Sequence, residues 1–227
     1  MNLHPHLKVC GLTNTEQIQE LIGMKADFLG FIFYDKSPRY VLNHLSFQDI
    51  ANIEHSGKTG VFVNEEVDQI LKIAEKAHLN YIQLHGDENQ NFIIELRKKL
   101  SPEIKIIKVI RIGNDTVENK SKIQQIINSP LSALDYLLFD TDSKAFGGTG
   151  KQFDWTLLNA FEIPLPYFLS GGISEENIEN IKSLDQKPFA LDINSKFEIE
   201  PGNKDINRIK RFTSILYKKE SQRDELP

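Results

Sequence analysis

The sequence predicts an eight-stranded parallel (β/α)8 barrel, or TIM barrel, folded as a single domain. Short apolar runs alternate eight times with segments of helical periodicity. Strands that are separated by helices are joined by right-handed crossovers, which makes the sheet parallel. The length of 227 residues fits this architecture, because single-domain α/β barrels run to roughly 200–250 residues. Eight such units in one domain predict that the sheet closes into a barrel.

A doubly wound open sheet is the alternative α/β arrangement. Folds of that class that bind dinucleotides carry a Gly-x-Gly-x-x-Gly sequence directly after the first strand. No such sequence follows the first apolar run of this chain. The closed barrel is therefore the favoured prediction.

Each strand is predicted from one apolar run. In chain order the runs are Leu7–Cys10, Phe28–Phe33, Gly60–Val63, Tyr81–Leu84, Ile104–Ile110, Tyr136–Asp140, Tyr167–Ser170 and Phe189–Asp192. The helical segments that follow them cover about 14–25, from 46, 66–77, 89–100, 117–128, from 155, 174–183 and 205–217. The barrel domain is accordingly expected over residues 1–217. The polar residues 218–227 are expected to form a frayed tail.

Composition and charge restrict the possible partners. The net charge is −5 and the basic residues are scattered, which disfavours a nucleic-acid partner. No apolar run approaches the ~20 residues of a membrane span, and the first residues lack a signal-peptide pattern. The single cysteine cannot form an internal disulfide, in agreement with a reducing compartment. We therefore expect a cytoplasmic protein that acts on a small molecule and has no membrane partner.

That cysteine, Cys10, ends the first predicted strand, at the edge where barrels place their chemistry. A lone cysteine is often only a small buried apolar side chain, so its neighbours must decide its role. Side chains alternate along a strand, so Lys8 and Cys10 point inward if Val9 packs on the helices. The same parity pairs Gln83 with His85, Leu138 with Asp140, and Ala190 with Asp192. We expect these strand ends to converge on one mouth.

Two adjacent loops have the chemistry of a phosphate site. The segment Ser170–Ser174 contains Gly171 and Gly172, which let backbone N–H groups approach an anion at the start of the next helix. The loop after the eighth strand, Asp192–Ser195, lies beside it, and barrels often build a phosphate site from these two loops. A glycine pair alone is also common in ordinary turns, so the prediction depends on both loops together.

The segment 147–151, Gly-Gly-Thr-Gly-Lys, partly matches a nucleotide-binding P-loop. That motif requires glycine at position 145 and Ser or Thr at position 152, where the chain has Ala145 and Gln152. We expect a mobile lid over the site instead, with a plain flexible loop as the alternative.

Several longer motifs occur in the order typical of one enzyme family. They are Lys8–Thr13, Gly30–Tyr34, Ser37–Tyr40, Gly60–Asn64, Gln83–Asp87, Leu138–Thr141, Gly147–Trp155, Leu169–Ile173 and Pro201–Asp205. Over about residues 7–212 the chain resembles the phosphoribosylanthranilate isomerases. The resemblance implies a (β/α)8 barrel of tryptophan biosynthesis that converts N-(5-phosphoribosyl)anthranilate to 1-(2-carboxyphenylamino)-1-deoxyribulose 5-phosphate by an Amadori rearrangement.

The resemblance also implies residue roles. Cys10 would be the general base that removes the proton from C2 of the sugar, and Asp140 the general acid that protonates the ribose ring oxygen. Arg39 would bind the anthranilate carboxylate, while the two loops hold the phosphate. The other expected substrate-binding residues are His85, Gly171, Gly172, Asp192, Asn194 and Ser195. No metal, nicotinamide or flavin cofactor is expected, because the reaction only moves protons.

Both catalytic roles require that the pKa values of Cys10 and Asp140 differ from their ordinary values. A thiol of pKa about 8.5 is only about 3% ionised at pH 7, so Cys10 needs a nearby cation. Lys8 is the candidate, although it can equally be the ion-pair partner of Asp192 or Asp140. An ordinary aspartate is almost fully ionised at pH 7, so Asp140 needs burial or the neighbouring charge of Asp192 to hold a proton.

Two positions depart from the family pattern. Asp35 stands where the family usually has proline, which mainly loosens a loop. Lys196 stands where the family usually has glycine, so that it must accept a strained backbone or adopt another loop shape. It is also placed to add charge at the phosphate.

Two other functions remain open at this point. Another phosphosugar isomerase or an indole-glycerol-phosphate synthase of the same fold would be expected to carry a catalytic lysine or a metal cluster beside Cys10. A non-catalytic barrel that senses a phosphoribosyl ligand would bind without turnover. The sequence leaves the oligomeric state open and is compatible with a monomer.

Overall fold

A computed structural model describes residues 4–113, 116–141 and 153–217 of the chain. Eight parallel strands pair in sequence order, and the first also pairs with the last, so that the sheet closes. The strands are β1 His6–Val9, β2 Phe28–Ile32, β3 Lys58–Phe62, β4 Tyr81–Leu84, β5 Lys105–Ile112, β6 Tyr136–Thr141, β7 Tyr167–Leu169 and β8 Ala190–Ile193. The predicted (β/α)8 barrel is confirmed.

Helices connect the strands on the outside of the barrel. The α-helices are α1 Thr15–Gly23, α2 Phe47–Ala51, α3 Val67–Lys76, α4 Gln90–Lys99, α5 Thr116–Ile127 and α6 Ile206–Tyr217. Short 3₁₀ helices cover Val41–Asn43, Trp155–Ala160, Ile178–Ser183 and Ser195–Phe197. None of the helices in this part of the chain has the length and apolar character that crossing a membrane needs.

The helices after β6 and β7 differ from the prediction, because they are 3₁₀ turns and not α-helices. After β7 the helix begins at Ile178 and not at Ser174. The Asn177 side chain accepts a hydrogen bond from the Ser174 N–H at 2.8 Å and donates one to the Gly172 carbonyl at 2.7 Å. Such local side-chain bonds compete with the first helical turn. The loop after β7 therefore stays irregular up to Asn177.

The barrel interior is divided into an apolar floor and a polar mouth. Near the N-terminal ends of the strands, the rings of Phe28, Tyr81, Tyr136, Phe168 and Phe189 pack edge to face or tilted. Aromatic pairs in these geometries fill space and stabilise beyond the area that they bury. The floor is thereby closed, and the C-terminal ends of the strands are left for the site.

A small hairpin after β8 was not predicted. Strands β9, Glu198–Glu200, and β10, Asn203–Lys204, pair antiparallel. Gly202 makes the turn with a φ of +88°, and a Cβ there would lie 2.7 Å from the Thr13 hydroxyl. The hairpin lies against the loop that follows β1.

Candidate active site

The strand ends form one cavity at the C-terminal mouth of the barrel. Eight of the nine residues predicted for catalysis or substrate binding line it: Cys10, His85, Asp140, Gly171, Gly172, Asp192, Asn194 and Ser195. The ninth, Arg39, does not. The cavity wall also includes Gln83 on β4 and Lys196. Of these residues, the parity argument had placed Cys10, Gln83, His85, Asp140 and Asp192 at one mouth, and all five line the cavity.

Cys10 follows β1 directly and packs against an apolar wall. The thiol is buried beside Ile32, Val61 and Tyr34. Gly30 on β2 provides the room, because a Cβ there would lie 2.8 Å from the Cys10 Sγ. Burial raises the pKa of the thiol above its ordinary value, an effect that the nearby positive charges only partly oppose. The resting group is thus the neutral thiol.

Lys8 connects Cys10 with Asp192. Its Nζ donates to Asp192 Oδ2 at 2.9 Å, and the side chain is wholly buried. Burial lowers the pKa of Lys8, but the negative charge of Asp192, together with the hydrogen bonds to Asp192 and Cys10, outweighs that effect and leaves the pKa raised. Lys8 is thus the ion-pair partner of Asp192, one of the two roles open to it. Lys8 is also the cation closest in sequence to the Cys10 thiol, two residues away.

Asp140 on β6 has the acidity expected of a general acid at neutral pH. Burial, followed by the negative charge of Asp192, raises the pKa of Asp140 to about 7. Hydrogen bonds from the Thr141 N–H, at 2.8 Å, and from the Ser170 hydroxyl oppose this shift without cancelling it. A carboxyl group with this pKa is substantially protonated near pH 7.

His85 stands beside this carboxyl group as a neutral imidazole. Its Nε2 lies 3.5 Å from Asp140 Oδ2. Burial, and then the positive charges of Arg111, Lys8 and Lys108, lower the pKa of His85 to about 3. The contact between His85 and Asp140 is therefore no ion pair near pH 7. A neutral imidazole can accept a hydrogen bond from the protonated Asp140 carboxyl group or from a ligand hydroxyl.

The loop that carries His85 is held from below by a buried ion pair. Lys108 Nζ donates to Glu88 Oε2 at 2.7 Å and to the Gly86 carbonyl at 2.9 Å. The other oxygen of Glu88 accepts the N–H groups of Asn64 and Gly86. These bonds hold the backbone at Gly86, directly after His85, and connect it to Asn64 in the loop after β3. They thereby fix the position of His85.

Two buried acceptors on the cavity wall have no donor among the described residues. They are Asp192 Oδ1 and Gln83 Oε1. A buried acceptor left unpaired costs about 1–3 kcal/mol, so these atoms indicate a ligand that supplies hydroxyl or N–H donors. Asp192 was predicted as a binding residue. Gln83 was not, although its parity with His85 was the signal that could have found it.

The two loops predicted to hold phosphate lie side by side on the cavity wall. Gly171 and Gly172 have φ values of +86° and +75°, and a Cβ at Gly171 would lie 2.3 Å from the Thr141 hydroxyl. Within the described part of the chain, the N–H groups of Gly172, Ile173 and Ser195 donate to no protein acceptor. Backbone N–H groups arranged in this way bind anions. The expected helix N-terminus at Ser174 is absent, so the two loops offer an anion these N–H groups and not an α-helix dipole.

Lys196 adopts another loop shape and avoids strain. It lies in the 3₁₀ turn Ser195–Phe197 and has no positive φ. Its side chain lines the cavity next to the loops that follow β7 and β8. The lid predicted for residues 147–151 lies outside the described residues.

Arg39 forms an ion pair with Glu198, a residue that the sequence analysis does not single out. Its Nε donates to both carboxylate oxygens of Glu198 at 2.9 Å, and Nη2 donates to Oε2 at 2.6 Å. Glu198 also binds the buried Lys204 at 2.7 Å. Arg39 and Glu198 are 159 positions apart, and no local pattern relates them.

Comparison with known proteins identifies the family. The sequence model of the N-(5'-phosphoribosyl)anthranilate (PRA) isomerase family matches residues 7–214. The chain belongs to the phosphoribosylanthranilate isomerase family. The N-(5'-phosphoribosyl)anthranilate isomerase of Parabacteroides distasonis is 37% identical over 209 residues, which covers 91% of this chain and 90% of the relative. That of Thermotoga maritima is 36% identical over 216 residues, with 91% and 95% covered.

Solved structures of phosphoribosylanthranilate isomerases agree with this assignment. The crystal structure of the Thermotoga maritima enzyme matches with a TM-score of 0.74 and 35% identity, over 92% of this chain and 97% of that one. Another structure holds reduced 1-(o-carboxyphenylamino)-1-deoxyribulose 5-phosphate and matches with a TM-score of 0.72, 33% identity and the same coverage. The protein is therefore an isomerase of tryptophan biosynthesis that interconverts an aldose and a ketose. This family assignment excludes the alternative that the protein is a different phosphosugar enzyme of the same fold.

Proposed function

We propose that the protein converts N-(5-phosphoribosyl)anthranilate to the carboxyphenylamino deoxyribulose phosphate by an Amadori rearrangement, with Cys10 as general base and Asp140 as general acid. The observation that carries the proposal is that Cys10 and Asp140 lie in the same cavity. Cys10 directly follows β1 and Asp140 lies on β6, three strands away around the closed barrel, and both line the same cavity. The pKa of about 7 at Asp140 supplies the protonated carboxyl group that the first step needs.

The reaction consists of four proton transfers on the substrate, and Asp140 and Cys10 carry out the first two. Asp140 protonates the ribose ring oxygen, the bond from C1 to that oxygen breaks, and the anthranilate nitrogen carries the positive charge of the iminium. The Cys10 thiolate then removes the proton from C2, and the electron pair neutralises the iminium to give an enaminol. Loss of the enol O–H proton and protonation at C1 complete the ketose. The proposed chemistry needs no metal or redox cofactor, because only protons move.

The thiol of Cys10 must lose its own proton before the second transfer. The charges of Lys8 and Lys204 lower its pKa against the effect of burial. Ring opening leaves a positive iminium and an ionised Asp140 carboxylate in the cavity, so the net charge there does not change. The iminium assists the second transfer on the substrate side, because it takes up the electron pair released when the C2 proton is removed.

Binding groups surround the two catalytic side chains. We infer that the N–H groups of the loops after β7 and β8 hold the phosphate, and that Asp192 and Gln83 accept hydrogen bonds from ribose hydroxyls. The apolar wall of Ile32, Val61 and Tyr34 is suited to the aromatic ring. Arg39 is assigned to the anthranilate carboxylate, as the family resemblance implies.

The proposal is tested by following the loss of substrate fluorescence with the wild type and with Cys10→Ala and Asp140→Asn. General acid–base catalysis contributes about 10²–10⁴-fold, so each variant is expected to lose activity by at least about 100-fold. Asp135→Asn, at the opposite end of the barrel, is the control and should keep wild-type turnover. Near-normal turnover by folded Cys10→Ala and Asp140→Asn would reject the assignment. Substrate binding by the wild type without turnover would favour the sensor function.

A further inference from the structure

The β9–β10 hairpin brings a carboxylate between two buried cations beside the active site. Glu198 accepts hydrogen bonds from Arg39 and, at 2.7 Å, from Lys204 Nζ. The side chains of Glu198 and Lys204 are 3% and 0% exposed. Two cations and one carboxylate leave a net positive charge in this cluster, which favours the binding of one further anion.

Glu198 occupies one edge of the Arg39 guanidinium and leaves another edge free. Its oxygens accept from Nε and Nη2, the fork on one side of the planar group. A guanidinium carries five N–H donors in a fixed fork geometry. The donors of Nη1, and one of Nη2, have no acceptor among the described residues. The Nη1–Nη2 edge therefore remains for a bidentate bond to a second carboxylate.

The position of Arg39 is fixed at the edge of the cavity. Its backbone N–H donates to the Ser37 hydroxyl at 3.1 Å, and Ser37 lines the cavity. The side chain lies across Gly11, where a Cβ would be 2.7 Å from Arg39 Cδ and 2.9 Å from Asn194 Oδ1. Lys204 also bonds to Asn194 Oδ1, at 2.8 Å. The cluster thus abuts the cavity wall at Ser37 and Asn194.

The hairpin is anchored so that Glu198 cannot move away easily. The Gln17 side chain on α1 donates to the Lys204 carbonyl at 3.0 Å and accepts the Lys204 N–H at 2.9 Å. Thr13 donates to the Gly202 carbonyl at 2.8 Å. Because these bonds hold Glu198 in place, Glu198 orients Arg39 before a ligand binds. This lowers the entropic cost of binding.

We propose that Glu198 is a positioning residue that holds Arg39 with its Nη1–Nη2 edge toward the aryl carboxylate of the substrate, and so sets the preference for carboxylated substrates. This inference rests on the assignment of Arg39 in the proposed function. Glu198 does not touch the substrate in this arrangement. Its effect appears as selectivity for the carboxylate and not as a change in the proton transfers.

The test compares two substrates in the Glu198→Gln variant. One is N-(5-phosphoribosyl)anthranilate, and the other is N-(5-phosphoribosyl)aniline, which lacks the carboxylate; ketose formation is measured by chromatography. Charged hydrogen bonds of this kind contribute about tenfold or more to binding. We expect Glu198→Gln to raise KM for the anthranilate substrate at least about tenfold, with kcat and the KM for the aniline substrate changed less than about threefold. Glu198→Asp, which keeps the charge, should retain part of the selectivity.

The matched control is Asp135→Asn. Asp135 is also a carboxylate between an arginine and a lysine, Arg97 and Lys105, but lies at the start of β6. It should leave both KM values unchanged. If Glu198→Gln does not fold, because Lys204 has lost its counter-charge, Glu198→Gln with Lys204→Met removes both charges and should show the same loss of selectivity. The inference would be overturned if Glu198→Gln raised KM equally for both substrates, or if it left the selectivity for the carboxylated substrate unchanged.

Arg39→Gln separates this inference from the proposed function. If this variant keeps the full preference for the carboxylated substrate, Arg39 does not bind the carboxylate, and the inference fails with that assignment. If Arg39→Gln loses the preference while both Glu198 variants keep it, Arg39 keeps its assignment and only the role of Glu198 is wrong.

Discussion

Asp140 illustrates how the environment of a single residue sets its chemistry. The carboxyl group is buried next to the negative charge of Asp192, and both effects favour its neutral form. Two hydrogen bonds to its oxygens favour the ionised form but are too weak to restore the ordinary acidity. The residue is thereby held close to the point of ionisation at neutral pH. This property makes a proton available and also lowers the stability of the folded state at high pH.

The Asp140→Asn variant should therefore alter how stability depends on pH. The pKa of Asp140 is about 7 in the folded protein against an ordinary 3.8, so the folded state holds this proton more tightly than the unfolded chain. Its stabilising contribution is fully present below about pH 4 and is lost as the pH rises through about 7. Relative to pH 4.5, the wild type at pH 8.5 should lose roughly 3 kcal/mol that the variant keeps. Urea unfolding at both pH values measures this difference, and parallel pH dependence would contradict it.

The contact between β1 and β2 is as important to the site as the thiol itself. At Gly30, an added Cβ would lie 2.8 Å from the Cys10 Sγ and 2.9 Å from the Cys10 Cα. The second atom belongs to the backbone, so a side-chain rotation cannot relieve the clash. Gly30 thus fixes the distance between the two strands at the position of Cys10.

Gly30→Ala should displace Cys10 and lower kcat by at least about tenfold, with a loss of roughly 1–3 kcal/mol in the free energy of unfolding. Gly23→Ala is the matched control. No atom lies within 4 Å of the Cβ position at Gly23, the last residue of α1. The control should keep full activity and gain up to about 1 kcal/mol. Steady-state kinetics and urea unfolding of both variants test this. Wild-type kinetics in Gly30→Ala would show that the position of Cys10 is not critical.

The turn after β8 leads to a prediction about Lys196. Because Lys196 lines the cavity without a strained backbone, its contribution is expected to be its charge at the phosphate. Lys196→Gly and Lys196→Met should both raise KM, by about tenfold for a lost charged hydrogen bond, and should change kcat less. The methionine variant keeps the turn and isolates the charge. A selective fall in kcat would count against a role limited to phosphate binding.

The elements differ in how well the sequence predicts them. The strand runs and their parity placed Cys10, Asp140 and Asp192 on one face, because inward and outward alternation is a local property of a strand. The 3₁₀ turn at Ile178–Ser183 was missed, because the competing bonds of Asn177 depend on one side-chain conformation. Glu198 was missed because its partner Arg39 is brought to it only by closure of the barrel. Long-range polar contacts of this kind leave no periodic signal.

Closure also determines the behaviour of the whole molecule. β1 pairs with β8 over four residues, from His6 with Ala190 to Val9 with Ile193. One apolar layer between the strands and the helices runs from Leu7 near the start of the chain to Leu216 in α6. The active site combines residues from β1, β6 and β8. Neither the core nor the site can therefore be assembled from one half of the chain alone.

This arrangement predicts that unfolding is cooperative over residues 1–217. Trp155, the single tryptophan, is 2% exposed at the start of the 3₁₀ helix Trp155–Ala160, so its fluorescence reports on packing, whereas far-UV circular dichroism reports on all helices and strands. Because both depend on the same closed barrel, the two signals should share one urea midpoint. A variant ending at Tyr217 should have the same midpoint and the same kcat, because the sequence predicts a polar tail over residues 218–227, which lie outside the residues that the structure describes. A fluorescence change at lower urea than the dichroism change would instead show that the barrel unfolds in parts. A lower midpoint of the shortened chain would show that the tail contributes to the fold.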